Sequence, residues 1–558
     1  MILGIDVGGT HTDAVLIESG RIRKTAKVTT SPDRIVDSLS GIAQDLLKGE
    51  SLEKIQRIVL STTLSTNAIV QNKVDPVGLL VISGPGLSPS HFEIGGNTRF
   101  LSGYVNHRGI ETAPIDPAEV TRFHEEFLRK GLKHVGIVGK FSTRNPNQEL
   151  QVEKSIHNGL DHVSLGHRMS GHLNFPRRVA TTYLNEAVWE RYSSFVRQVI
   201  SFFQGLGLSV PVYVLKADGG TFEIQHSVEF PVYTILSGPA ASIMGILSMT
   251  PDNKNDAIAL DIGGTTTDIA VFADGVPLLE AFGVTMENHK TLIRGLRSKP
   301  VGIGGDSMVY VKDGQILIGP ERKGPAAAFD GPCPTPTDAM IFLGLTDIGN
   351  RSKAEKAVQS IADVMGITVQ EAAEIIFENT CEKIALHVHS VIEEINNQPV
   401  YTIHELLEGK KISPKILYII GGPAKPMSAR LGQLLGCPVC VPSYYEVANA
   451  IGTALARTTA ELTILADTEQ GTMTIGEEGI QEKLPSRFTR EDAIETGRRM
   501  LRERALRLGA RAEDLEIEVI EDQEFNMVRD FYMTGKNIRV KLQVKPGLIA
   551  GFKTGELS

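Results

Sequence analysis

Short apolar, β-branched runs alternate along this chain with segments whose apolar positions recur every three to four residues. HVGIVG (134–139) and PVYVLKA (211–217) are runs of the first kind and predict strands; IVDSLSGIAQDLL (35–47) and AEVTRFHEEFLRKG (118–131) are of the second kind and predict helices. The two kinds keep alternating up to about residue 235, which predicts an α/β architecture. From 351 to 396 the pattern is helical, with a break at Gly366-Ile367-Thr368. Residues 319–338 (GPERKGPAAAFDGPCPTPTD) hold too many Pro and Gly for a regular element and predict an ordered loop beside a site. Past about residue 460 the rhythm changes. TREDAIETGRRMLRERALRLG (489–509) predicts a highly charged helix, and Ile538, Val540, Leu542 and Val544 alternate with Arg539, Lys541, Gln543 and Lys545 as in a half-buried strand. Residues 459–558 are therefore expected to form a small α+β appendage.

One pattern occurs twice. LGIDVGGTHTDAVLI (3–17) and IALDIGGTTTDIAVF (258–272) place Asp, Gly, Gly, Thr, Thr and Asp at Asp6/Asp261, Gly8/Gly263, Gly9/Gly264, Thr10/Thr265, Thr12/Thr267 and Asp13/Asp268, always 255 positions apart. Each copy is an apolar run, a Gly-Gly turn and a second apolar run, the pattern of a β-hairpin. Two such hairpins imply two related halves.

Glycines at a hairpin tip let backbone N–H groups approach a phosphate without obstruction by Cβ, and a threonine adds a hydroxyl. Gly8, Gly9 and Thr10, with Gly263, Gly264 and Thr265, are thus candidates for gripping a nucleotide, and Asp6 and Asp261 for positioning Mg²⁺ (or Mn²⁺) and water in catalysis. A single D-x-G-G-T is equally well turn chemistry; its recurrence in register favours the ligand reading. Asp13 and Asp268 have two readings, a ligand contact or a cap on their own hairpin. A third element, ILYIIGGPAKPMSARLGQLLG (416–436), is a strand, the Gly421-Gly422 turn and a helix, an arrangement that suits contact with adenine or ribose. The small residues of 446–455 read as a helix packed closely on a neighbour. Further Gly-Gly turns stand at 95–96, 219–220 and 304–305, and several of the six are expected to line one cleft.

Composition narrows the class of function. The chain has 558 residues, which suggests roughly three to four domains, and its 57 Lys+Arg against 66 Asp+Glu give a net charge of -9. That balance argues against nucleic acid or an anionic membrane as the main partner. No apolar run approaches the ~20 residues of a bilayer-spanning helix, four Cys cannot form a disulfide framework, and a cytoplasmic location is expected. Cys437 and Cys440 form a lone C-x-x-C and read as buried thiols beside a Pro turn. His387 and His389, two apart on a helix, cannot share a metal.

The order of hairpin, hairpin, strand-Gly-Gly-helix and small-residue helix resembles the actin-like ATPase superfamily. Within it, LSTTLSTNAIV (60–70), FSTRNPNQE (141–149), VSLGHRMS (163–170), RVATTYLNEAV (178–188), ILSGPAAS (235–242), LDIGGTTTD (260–268) and PTDA (336–339) resemble the hydantoinase/oxoprolinase family, hydantoinase A type, from residue 1 to about 455. The resemblance implies two related actin-like (ribonuclease H-like) halves around a nucleotide cleft. One is expected over 1–240, with an inserted α/β subdomain at about 80–180, and the other over 241–458, with a helical insertion at about 350–400. It also implies ATP with a divalent cation, ATP-dependent opening of a cyclic amide such as a hydantoin or 5-oxoproline, and a partner of the hydantoinase B type, and it allows a homo-oligomer.

Thr62, Thr63 and Asn67 are expected in the substrate cleft, although a strand end followed by a helix cap would use the same residues. Asp218-Gly219 and Ser237, at turns after strands, are expected there too, or as tight turns only. The family more often has Gly where this chain has Asp306, a departure that would add a carboxylate to the site. Two other readings share the hairpins: a small-molecule kinase that leaves phosphate on its product, and an ATP-driven switch acting on a protein partner, with an iron–sulfur activator as a variant.

Overall fold

The structure is a computed structural model, which describes residues 1–31, 34–250, 254–280, 282–397 and 411–551. The last three positions of the expected helical insertion, 398–400, lie outside the described residues.

The first half is built on a six-stranded sheet. Strand Ile2–Val7 lies at its centre, antiparallel to His11–Glu18 on one side and parallel to Arg57–Thr62 on the other; Arg21–Thr29 and the pair Val212–Leu215 and Thr221–Glu223 complete the two flanks. The second half repeats the order. Ala257–Ile262 is antiparallel to Thr267–Ala273 and parallel to Ile416–Ile420, with Ser298–Val301 and Val439–Cys440 outside them. Both sheets thus run third, second, first, fourth, fifth strand. The repeated sequence folds this way because each of its apolar runs is short and separated by two glycines, which favours an antiparallel hairpin, whereas the strands that follow return through helices and can only add in parallel.

Two helices lie between the sheets. Ser237–Met249 and Ala448–Leu455 are close enough that a Cβ on Gly245 or Gly452 would run into backbone of the other helix, and a Cβ on Gly4 would come within 2.5 Å of both Ala450 O and Ala454 Cβ. The small residues of 446–455 are therefore a packing requirement.

Between the fourth and fifth strands of the first half stands a parallel four-stranded sheet, ordered His162–Leu165, His134–Gly139, Val77–Ile82, Thr98–Phe100, covered by the 31-residue helix Phe175–Gly205. In the second half, helices Arg351–Met365 and Val369–Asn396 break at Gly366 (φ +69°), and Thr368 opens the second helix with a capping box to Glu371. The C-terminal residues form an antiparallel five-stranded sheet with the helix Arg490–Arg507 on one face, burying Ile538, Val540, Leu542 and Val544 as alternation requires; Lys541 and Gln543 are buried as well. Among the described residues no helix is long and apolar enough to cross a membrane.

Candidate active site

Register sets the chemistry of the two hairpins. Asp6 faces Asp13 across the first, and Asp261 faces Asp268 across the second. Asp13 and Asp268 are therefore strand residues, and the reading of them as turn caps is incorrect. The turns are closed by backbone, Gly8 N–H to His11 O at 3.0 Å and Gly263 N–H to Thr266 O at 2.9 Å. Those two amides are spent. Among the described residues the amides of Gly9, Thr10, Gly264 and Thr265 donate no hydrogen bond within the chain, and Gly9 has open space on its Cβ side.

The two halves meet at Asn449, in the first turn of the helix Ala448–Leu455. Its side chain donates through Nδ2 to Asp261 Oδ2 at 3.3 Å and stands close enough to Asp6 to favour its charged form. Ser61, opposite Asp6 in the parallel strand, favours the charged form as well, and Ser242 Oγ donates to Asp261 Oδ2 at 2.6 Å. Charge is under-compensated here. Burial, together with the neighbouring Asp13 and Asp261, pushes Asp6 up to about 7; burial raises Asp13 to about 6 despite Lys27 at 2.9 Å; burial and Asp261 raise Asp268 to about 7. Asp6 Oδ1 is buried without a hydrogen-bond partner. A site that crowds carboxylates and leaves one oxygen unpaired fits a divalent cation. Among the described residues no three acidic, His or Cys groups converge as a cage, so Mg²⁺ would be held largely through water and phosphate oxygens, as its reluctance to dehydrate favours.

The cation's presence would be legible in stability. Asp6, Asp13 and Asp268 bind protons more tightly in the folded protein than in the unfolded chain, so the metal-free protein is expected to lose stability as pH rises from about 4 through about 7. Millimolar Mg²⁺ should then raise the thermal midpoint by a few degrees at about pH 8 and hardly at all at about pH 5. Equal effects at both pH values would count against a cation at these aspartates.

Gly421 joins this group. Its φ is +92°, its N–H donates to Tyr445 O at 3.1 Å, and a Cβ on it would stand 2.8 Å from Asp261 Oδ1, so glycine is required for the turn to lie against the second hairpin. Gly422, beside it, faces open space. The Gly304–Ser307 loop caps the same hairpin: Gly305 N–H and Asp306 N–H donate to Gly263 O (2.9 Å) and Gly264 O (2.7 Å), and Asp306 Oδ2 accepts from Arg322 at 3.1 Å. Arg322 comes from the Pro/Gly-rich stretch 319–338, which is a loop over most of its length, as expected, but holds a 3-10 turn at Ala327–Phe329 and ends in the first turn of the helix Pro336–Phe342, where proline suits the first position. Burial, then Lys27, lowers His11 at the first tip, and Asp306 and Arg322 are near enough to add small opposing effects on its charge, which sets the second tip toward the first.

Thr62, Thr63 and Ser237 flank Asp6. Ser237 Oγ donates to Thr62 O (3.0 Å) and lies 3.4 Å from Ser61 Oγ, while Thr63 N–H donates to Val7 O (3.2 Å) and Asn67 Nδ2 to Thr63 Oγ1 (3.2 Å). Thr63 is the residue before the helix Leu64–Val70 but caps no amide with its side chain. Asp218 and Gly219 are not brought to this place. Asp218 is buried against Lys216, Thr459 and Arg294 at the junction with the C-terminal sheet, and Gly219 packs on Met244 and Leu296. Gly95-Gly96 lies in the loop before strand Thr98–Phe100, against Tyr183. Cys437 and Cys440 are half-buried rather than buried at the edge of the second sheet; Cys437 Sγ is 3.5 Å from Pro414 O and Leu435 O, and burial raises both thiols.

Sequence reading missed Asn449, Ser242, Lys27 and Arg322. Asn449 left a trace as the one amide amid small residues, Ser242 closes the segment ILSGPAAS and Arg322 lies in the loop expected beside a site, whereas Lys27 left none.

A hydantoinase/oxoprolinase family model matches residues 178–462, and a model of the hydantoinase/oxoprolinase N-terminal region matches residues 2–160. The chain is 27% identical over 430 residues to the alpha subunit of caprolactamase of Pseudomonas jessenii, covering 66% of this chain and 60% of that one. It is 25% identical over 410 residues to 5-oxoprolinase of Saccharomyces cerevisiae, covering 68% and 31%. Its fold is that of two solved structures: ATP-dependent caprolactamase from Pseudomonas jessenii (TM-score 0.70, 20% identity, 100% of this chain and 88% of that one) and nucleotide-free acetone carboxylase (TM-score 0.71, 17% identity, 99% and 88%). The chain belongs to the hydantoinase/oxoprolinase family.

Proposed function

We propose that this protein is an ATP-dependent hydrolase that opens a cyclic amide. The observation that carries the reading is the meeting of Asp6 and Asp261 at Asn449, beneath two facing tips with unspent amides. Such a place suits a polyphosphate and its Mg²⁺, which would neutralise charge on the phosphates; Asp6 and Asp261 would hold it.

In the proposed reaction the amide oxygen attacks the γ-phosphorus of ATP and the bond to the β-phosphate oxygen breaks. Water adds to the activated carbon, the ring C–N bond breaks with a proton going to nitrogen, and hydrolysis releases phosphate, two waters being consumed in all. Positioning and charge stabilisation carry most of the acceleration in phosphoryl transfer. The amides of Gly9, Thr10, Gly264 and Thr265 would grip phosphate oxygens, and Gly421-Gly422 would lie along the nucleoside. Thr62, Thr63, Asn67 and Ser237, beside Asp6, are the proposed substrate contacts, and Asp306 with Arg322 would close the second tip.

Relatives include caprolactamase and 5-oxoprolinase, the first of them named as one subunit of an enzyme, which supports a cyclic-amide substrate and a companion chain. The test is a screen of hydantoin, 5-oxoproline and caprolactam for stimulated release of phosphate, with and without a companion chain. One of them is expected to stimulate, with phosphate appearing free and the product ring-opened. Phosphate retained on the product would establish a kinase instead, and turnover responding to a protein partner alone would establish a switch.

A further inference from the structure

A cavity of about 70 Å³ lies where the first half meets the C-terminal sheet, and it shares no lining residue with the hairpins. Phe222, Phe230 and Leu292 give it an apolar wall. Four cations share the lining, three of which are committed. Lys216 Nζ donates to Thr459 O at 2.9 Å and lies 3.5 Å from Asp218; Lys541 Nζ is 2.5 Å from Glu461; Arg504 bonds Glu478. The fourth is Arg294. Among the described residues its Nη1 and Nη2 make no hydrogen bond, and both are shielded from water. Its ion pair with Asp218 is long, 3.9 Å, and Asp218 already accepts from Gly220 N–H (3.0 Å) and Thr459 Oγ1 (2.9 Å). The carboxyls on the wall are three, Asp218, Glu461 and Glu477, against the four cations.

A desolvated guanidinium with unused donors is costly to keep and is retained where something arrives to use them. Its planar fork matches a carboxylate, and the hydrocarbon wall calls for a short apolar body, which inorganic phosphate lacks. The volume is worth a few waters, enough for an acid of a few carbons. We propose that this cavity is a binding site for a small carboxylic acid, its carboxylate taken by Arg294 Nη1 and Nη2 and its body lying on Phe222, Phe230 and Leu292.

The site is independent of the nucleotide reading, and its test needs no ATP. Isobutyrate, isobutyramide and inorganic phosphate are titrated into the full-length protein by calorimetry, with saturation-transfer NMR on the ligands. Isobutyrate is expected to bind at millimolar concentration or below, and the amide and phosphate are not. R294Q should weaken isobutyrate about tenfold or more while leaving the thermal midpoint at or above the parent's. L292F, which fills the cavity and keeps Arg294, should weaken it as well and decides the matter if R294Q fails to fold. Absence of binding at tens of millimolar, equal binding of phosphate or isobutyramide, or isobutyrate binding that survives the substitutions would overturn the proposal, and each would leave the hairpin site untouched.

Discussion

Nucleotide turnover in an Asp261→Asn protein is expected to fall by about a hundred- to a thousandfold, with the circular dichroism spectrum unchanged and the thermal midpoint at or above the parent's. The substitution keeps the size of the side chain and an oxygen for Ser242, but removes the negative charge that shares Asn449 with Asp6. Catalysis should suffer because the proposed cation between the halves would lose one of its two proposed holders. Folding should not, because Asp261 also raises Asp6 and Asp268 by repulsion, and that repulsion disappears. Turnover at the parent rate, measured as phosphate release under saturating ATP, would remove the hairpins from the chemistry.

The second large effect concerns packing. Replacing a helical glycine by alanine normally stabilises, by about 0.5–1 kcal/mol, since alanine has less backbone freedom to lose. At Gly452 the sign is expected to reverse. A Cβ there would run into Ala241 O and Gly245 N, backbone atoms that no rotamer change can move, so the helices Ala448–Leu455 and Ser237–Met249 must separate. Overpacking of this kind costs about 3 kcal/mol. Gly452→Ala should therefore lower the thermal midpoint and also abolish turnover, since Asn449 rides on one of these helices and Ser242 on the other. Gly41, in the helix Ile35–Leu47 with open space where its Cβ would be, supplies the control: Gly41→Ala should raise the midpoint slightly. Identical effects at the two positions would mean that the helices do not touch.

The repeat was legible because hairpin formation is local. Two apolar runs joined by Gly-Gly and carrying Asp at matched places predict both hairpins and hence both halves, and the helix Ile35–Leu47 and the break at Gly366 follow from spacing and from glycine in the same way. Capping was harder to read. Asp13 and Asp268 read as either ligand contacts or turn caps because the sequence places them near Gly-Gly, whereas the ladder carries them to face Asp6 and Asp261, behind the pairs Val7–Thr12 and Ile262–Thr267 that end each hairpin, and rules out the cap. Asp218 misled for a related reason. A strand-end turn in an α/β sheet commonly faces ligand, but here the C-terminal sheet has closed over it.

What the sequence determined by itself was the set of elements with local causes: the hairpins, the capped helices, the glycine turns and the family to which they belong. Tertiary structure alone decided which of their side chains meet. Asn449 lies 188 positions from Asp261 and farther still from Asp6, yet bonds the first and acts on the charge of the second, because small residues let two helices approach and set one amide between two sheets. Among the described residues Arg294 Nη1 and Nη2 are left without a hydrogen bond by neighbours drawn from separate stretches of chain. Spacing along a chain fixes periodicity and turns; burial, and therefore charge state and partnership, depends on what distant segments bring to the same place.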